Sequence, residues 1–130
     1  LFDRHLRVAL SQVYFIERVQ KNSRITINTN IDINKQKEFT GNEKIVIYRI
    51  FQEILNNIFK HAKANTINVT IASSPYFSMI ISDNGKGFEL NKNKASLGLQ
   101  NMKERAKLID YKIAFETTEG KGTTVSLFEK

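Results

Sequence analysis

The chain of 130 residues is 41% hydrophobic, carries a single proline and has no cysteine. That length and apolar fraction suit one globular domain with a real core and exclude a disordered tail or a collagen-like rod. The missing cysteine excludes a disulfide framework and any Cys-ligated zinc or iron–sulfur site. Twenty Lys and Arg against thirteen Asp and Glu leave a formal charge of +7, which favours an anionic partner: nucleic acid, acidic lipid or polyphosphate. No apolar run approaches the ~18 residues that span a bilayer, and the chain opens on Leu with no signal-peptide pattern behind it, so it reads as a soluble piece of something longer.

Leu6, Ala9, Leu10, Val13, Ile16 and Val19 recur at intervals of three and four and predict a first helix ending near residues 20–22. Between Arg24 and Ile33 the period changes to two, with Ile25, Ile27, Thr29, Ile31 and Ile33 alternating with polar residues as in a strand with one buried face. Thr40-Gly41-Asn42-Glu43 is a capping box, and it opens a second helix with Ile47, Ile50, Phe51, Ile54, Leu55, Ile58 and Ala62 inward, stopping near Lys63 to Asn65. Two strands, Thr66–Ala72 and Phe77–Ser82, flank the turn Ser73-Ser74-Pro75. Asp83 to Ser96 follows neither period and reads as a loop; Leu97, Leu99, Met102, Ala106 and Ile109 predict a third helix, and Lys112–Thr118 and Thr123–Phe128 a last hairpin. With no internal repeat and no break in composition, the order α-β-α-β-β-loop-α-β-β predicts one α+β domain over residues 1–130: a two-layer sandwich, helices on one face of a mixed, largely antiparallel sheet.

Chemistry concentrates in four places. On the second helix Glu53, Asn57 and His61 are spaced four apart and Lys60 stands three beyond Asn57, so a carboxylate, an amide oxygen and cations share one strip. In isolation that strip reads first as a solvated helix flank; as a set it is what a magnesium nucleotide asks of a protein, because magnesium keeps phosphates and waters for most of its shell. Asp83-Asn84-Gly85-Lys86-Gly87-Phe88 leaves a strand, where an Asp can accept from an exocyclic amino group while glycines let backbone approach a flat ring; taken alone it is also an ordinary Gly-rich turn. Ser96-Leu97-Gly98-Leu99 opens the third helix, whose first amides favour a phosphate, although Ser96 is also a simple N-cap. Gly120-Lys121-Gly122-Thr123-Thr124 joins the last two strands and doubles as a hairpin turn.

In this order, and with these elements between them, the four segments resemble the nucleotide-binding boxes of the GHKL superfamily, which joins gyrase, heat-shock chaperone, histidine kinase and mismatch-repair ATPases. Residues 53–62 resemble the N box, 83–88 and 96–102 the first two glycine boxes and 120–125 the last. Phe51-Gln52-Glu53 and Gly98-Leu99-Gln100-Asn101-Met102-Lys103-Glu104-Arg105-Ala106 look most like bacterial sensor histidine kinases of the short-lid, nitrate-sensor type. The resemblance implies a Bergerat ATP-binding fold of about five strands and three helices. It implies Asn57 as the ligand of the Mg2+ that bridges the ATP phosphates, Lys60 and His61 facing those phosphates, and Asp83 on the adenine amino group. Gly85 and Gly87 would form the pocket floor and hinge, Gly98, Leu99 and the amides there would meet phosphate, and Thr123 would join Asp83 through water. Glu53 matches the position that orients the attacking water in hydrolytic members. One departure is Ser96, where the second box commonly has glycine; the lid before it, Glu89 to Ala95, carries Lys92 and Lys94 and would order around nucleotide.

Neither histidine fits the kinase phosphoacceptor: His61 lies in the N box, and His5 is followed by Leu6 where the family acceptor is followed by Asp or Glu. The resemblance therefore implies a domain that binds Mg-ATP and presents the γ-phosphate to a histidine on upstream dimerisation helices. A receiver domain of a response regulator would be the next acceptor. Parent homodimer, monomeric isolated domain and cytoplasmic placement, with a parent that is membrane-anchored or free, belong to the same expectation. Two alternatives from other classes stand beside it. One is a GHKL nucleotide-binding module that is not a histidine kinase, such as a partner-switching serine kinase or a degenerate sensor. The other is a basic nucleic-acid module, disfavoured because Phe51, Phe59, Phe77 and Phe115 fall mainly on predicted core faces and no Lys- or Arg-interleaved stacking platform emerges. The charge agrees: residues 86–107 hold six basic and two acidic side chains, beside the expected phosphate site, so a polyphosphate is preferred to nucleic acid.

Overall fold

Thr40 and Glu43 make the capping box that the sequence announces. Thr40 Oγ1 accepts from the Glu43 N–H and Glu43 Oε1 accepts from the Thr40 N–H, each at 3.0 Å. The computed structural model describes residues 2, 4–11, 25–34, 36–58, 65–86 and 93–130, with residues 93–97 as backbone alone. In it, helix α1 runs over residues 4–11, α2 over Gly41–Asn57 and α3 over Asn93–Leu108. The strands are β1 (Thr26–Asp32), β2 (Thr66–Ala72), β3 (Ser78–Asp83), β4 (Tyr111–Thr118) and β5 (Gly122–Glu129). The ends predicted for the first and second helices, near 20–22 and 63–65, lie outside the described residues except for Asn65, which is not helical.

One five-stranded sheet has the order β1-β2-β3-β5-β4, with β1 parallel to β2 and the other pairs antiparallel, as expected for a mixed, largely antiparallel sheet. Its registers line up three rows on one face. They are Ile31–Ile71–Met79–Leu127–Ile113, then Thr29–Val69–Ile81–Val125–Phe115, then Ile27–Ile67–Asp83–Thr123–Thr117. Successive strand residues alternate faces, so the helices can bury only every second residue. They do so with Leu6, Ala9 and Leu10 of α1, Ile47, Ile50, Phe51, Ile54 and Leu55 of α2, and Met102 and Ala106 of α3. The third row breaks the apolar pattern with an aspartate and two threonines, which marks that end of the sheet.

Beyond shifts of one or two residues at other strand ends, two boundaries that bear on the site differ from the sequence reading. β3 reaches Asp83, which pairs with Ile67 and Thr123 as the last strand residue and does not begin the loop. α3 begins at Asn93, so Ser96 is not its N-cap; the periodicity misses the first turn because Asn93, Lys94 and Ala95 put no large apolar side chain there. β1 is also less buried than its alternation suggests, since Thr29 is exposed and Ile27 and Ile31 are half-buried at the sheet edge. Arg7 of α1 donates to the Ile31 carbonyl at 3.0 Å, and Asn28 donates across to Asn68.

The end of the sheet away from the polar row is closed by a side-chain network. Tyr111 donates its hydroxyl to Glu43 Oε2 at 2.7 Å, while Glu129 Oε1 accepts from the Phe77 N–H and the Lys37 ammonium. Burial works to raise the Glu129 pKa, yet the bonds from Lys37 and Phe77 outweigh it and hold the carboxyl below its ordinary value. Glu43 thus caps α2 and satisfies a buried tyrosine together. Glu43→Ala should cost about 2 kcal/mol of unfolding free energy, read from urea denaturation, more than a cap alone, because the Tyr111 hydroxyl loses its partner as well.

Candidate nucleotide site

Asp83 is buried at 7% exposure. Its Oδ1 accepts the Gly85 N–H at 2.8 Å, whereas Oδ2 is buried with no hydrogen-bond partner among the described residues. Burial raises the carboxyl pKa above the ordinary 3.8, opposed in part by the backbone N–H groups of Gly85 and Thr123. A buried acceptor without a donor is costly, and such a group in a native fold calls for a ligand or a water. Beside it on β5, Thr123 is 5% exposed, and its hydroxyl lies 3.1 Å from that of Thr117 on β4.

Asp83 and Thr123 line a narrow pocket with Asn57 at the end of α2, Leu99 and Met102 of α3, and an apolar wall that includes Phe115 and Val125. Strand register builds this wall: Val125 and Phe115 are paired on the row next to Asp83–Thr123–Thr117. The cavity, about 20 Å³, has room for one water and not for a purine. A larger groove of about 910 Å³ lies between α1 and α2, lined by residues such as Arg4, Val8, Ile45 and Arg49. Size favours that groove, but among the described residues it is lined by no carboxylate and no buried unpartnered side-chain atom, and the chemistry favours the smaller pocket.

Of the residues that the sequence points to, Asn57, Asp83, Leu99 and Thr123 meet at this pocket. Gly85 is buried against the Asp83 carboxylate. Glu53 is half-buried and faces α3, its Oε1 3.8 Å from where a Cβ on Gly98 would stand. That is ordinary contact, so packing alone does not demand glycine at 98. Gly98 sits in the second turn of α3, because the helix opens at Asn93, ahead of the glycine segment expected to start it. Lys60, His61 and Gly87 lie outside the described residues. Among the described residues no cluster of three His, Asp or Glu side chains could cage a metal, so a cation here would depend on the Asn57 amide oxygen and on the ligand's own oxygens.

Gly122 is not among the site residues that the motifs nominate, and yet it belongs to the site. Its φ is +99°, and a Cβ there would stand 1.9 Å from the Asp83 carbonyl oxygen. Only a bare Cα lets β5 start this close to the end of β3. The Gly-x-Gly-Thr run is the available signal, but a hairpin turn explains it equally well until the register places it against Asp83.

The model of the histidine kinase-, DNA gyrase B- and HSP90-like ATPase family matches residues 42–129. The chain belongs to this family. The ATPase domain is 38% identical over 95 residues to the signal transduction histidine-protein kinase/phosphatase DegS of Brevibacillus brevis, covering 72% of this chain and 25% of that protein. It is 40% identical over 83 residues to the sensor histidine kinase LiaS of Bacillus subtilis (strain 168), covering 62% of this chain and 23% of LiaS. With the sensor histidine kinase ComP of the same organism it shares 31% over 131 residues, 94% of this chain and 16% of ComP. The ATPase domain thus spans a quarter or less of the length of these relatives. Its fold matches the histidine kinase domain from Erythrobacter litoralis EL346 blue-light activated histidine kinase with a TM-score of 0.72 at 18% identity, over 98% of this chain and 60% of that one. Together these place it among the ATP-binding domains of histidine kinases, within the GHKL superfamily and two-component signalling, in an α+β fold of the expected kind.

Proposed function

We propose that residues 1–130 form one catalytic domain that binds Mg-ATP in the Asp83 pocket and offers the γ-phosphate to a histidine on a separate dimerisation domain of the same protein. The observation that carries the reading is the unpartnered, buried Asp83 Oδ2: an acceptor facing an apolar slot suits the amino group of adenine, with the Thr123 hydroxyl beside it. Leu99, Met102 and Phe115 supply faces for the ring, and Asn57 at the pocket edge is placed to ligate the magnesium ion, which neutralises phosphate charge. Lys60, His61 and Gly98 are proposed at the phosphates, Gly85 and Gly87 under the base, and Glu53 as the group that orients the attacking nucleophile.

The chemistry left to such a domain is positioning and electrostatics. A nitrogen of the partner histidine attacks the γ-phosphorus, the bond to the bridging oxygen breaks, and ADP leaves. A receiver carboxylate of a response regulator then takes the phosphoryl group from that histidine. We place the domain in the cytoplasm, where ATP is found, in a homodimeric parent. Among the described residues no helix is long and apolar enough to cross a membrane.

Titration with a fluorescent ATP analogue, with and without magnesium, tests the reading: saturable, magnesium-sensitive binding is expected, and its absence overturns it. Asn57→Ala should remove the magnesium dependence and weaken binding about tenfold, while a nucleoside without phosphates binds as before.

A further inference from the structure

The direction of the Asp83 carboxylate is set by contacts outside the pocket. The β2–β3 ladder ends at the pair Ile67 and Asp83, and Asn84, the next residue, continues it with its side chain. Asn84 Oδ1 accepts from the N–H groups of Asn65 and Thr66, each at 3.0 Å, and its Nδ2 donates to Asn65 Oδ1 at 2.6 Å. Its own N–H donates to the Thr66 carbonyl at 3.3 Å. From the opposite side the β4–β5 turn holds the same segment: the Gly120 N–H donates to the Lys86 carbonyl at 2.8 Å, and Gly122 abuts the Asp83 carbonyl. Residues 83–86 are therefore gripped twice. Inside that grip Gly85 occupies Oδ1 of Asp83, which leaves Oδ2 without a partner at the pocket.

We propose that Asn84 is a positioning residue for base selection, acting through Asp83; the inference rests on the Mg-ATP reading of the same pocket. Asn84 is exposed and is not among the residues lining the pocket. What its side chain does is extend the pairing one step past the last ladder residue, so that Asp83 cannot fray with the strand end. A fixed carboxylate accepts from the 6-amino group of adenine and repels the 6-oxo group of guanine, which brings an acceptor to the same place. Freed to swing, the carboxylate grips adenine less and rejects guanine less. A general loosening of the fold would weaken both nucleotides alike.

Competition by ATP and by GTP against a fluorescent ATP analogue reads this ratio directly. Asn84→Ala should lower the ATP-to-GTP preference about tenfold, and Asn65→Ala, which removes the acceptor of Asn84 Nδ2 and of the Thr66 hydroxyl but keeps both backbone bonds to Asn84 Oδ1, about threefold in the same direction. In an Asp83→Ala background the Asn84 substitution should change nothing further. A wild-type ratio in Asn84→Ala, or equal weakening of both nucleotides, overturns the inference; if Asn84→Ala does not fold, the ratio in Asn65→Ala decides by the same criterion. Wild-type ATP affinity in Asp83→Ala overturns the nucleotide reading, and the inference with it. Loss of ATP in Asp83→Ala with an unchanged ratio in Asn84→Ala overturns the inference alone.

Discussion

Asp83→Asn should weaken ATP binding by roughly 100-fold or more, close to 3 kcal/mol, while the folded protein becomes no less stable. The two outcomes share one geometry. Oδ1 accepts the Gly85 N–H, so an asparagine must keep its oxygen there and turn its NH₂ into the pocket, where it meets the adenine amino group donor to donor. Flipping the amide would only move the conflict to Gly85. For stability the sign is opposite. Burial raises the folded-state pKa of Asp83 above its unfolded value, so the ionised carboxyl opposes folding and the nucleotide-free protein gains stability as pH falls through that raised pKa. The asparagine carries no charge and should lose this component of the pH profile. Urea denaturation across mildly acidic pH, paired with analogue titration at neutral pH, checks both. Unchanged affinity would remove Asp83 from the pocket.

Gly122→Ala should be the most damaging of the substitutions at Gly41, Gly98, Gly120 and Gly122. The new methyl would stand 1.9 Å from the Asp83 carbonyl oxygen, 2.8 Å from its carbon and 3.0 Å from the Asn84 Cα, at a φ of +99° that L residues rarely adopt. Every atom it meets is backbone, so relief requires β3 and β5 to part at the row that carries Asp83 and Thr123. We expect a loss of about 3 kcal/mol or more in thermal or urea unfolding, with loss of nucleotide binding in whatever folded fraction remains. Gly120→Ala is the control: its φ is +79° with nothing within 4 Å of the new methyl, so only conformational strain of about 1 kcal/mol applies. Similar losses in both variants would show that φ and not the close approach decides.

Much of this arrangement is legible in the amino-acid sequence. The Thr40–Glu43 box, the apolar spacing of α2 and the alternation of β2 are local patterns, and each folds as its own period dictates. The candidate site is readable as far as it is written in motifs: Asp83, Asn57 and Thr123 carry polar chemistry at positions that the superfamily order makes conspicuous. What escapes depends on register. Nothing near Gly122 in the chain says that Asp83, 39 positions earlier, stands against it, and nothing beside Asn84 announces that its partners are Asn65 and Thr66. Phe115 reads as core-facing and is half-buried against the core, and only strand pairing shows that with Val125 it forms one side of the pocket. The start of α3 escapes for a simpler reason, since a polar first turn has no hydrophobic period to read.

The outermost strand β1 bears on how the protein behaves in concentrated solution. An edge strand offers unpaired backbone to any other extended chain and can seed sheet growth from molecule to molecule. Here Thr26, Asn28, Thr29, Asn30 and Asp32 are exposed along its seven residues, and the Arg7 guanidinium already occupies the Ile31 carbonyl. A polar, partly occupied rim of this kind resists recruitment into fibrils, and it does so at the opposite edge of the sheet from β4, where Lys112 and Glu116 place charge on exposed positions. Colloidal behaviour is thus written into the first strand, two strands away from Asp83 in the sheet order.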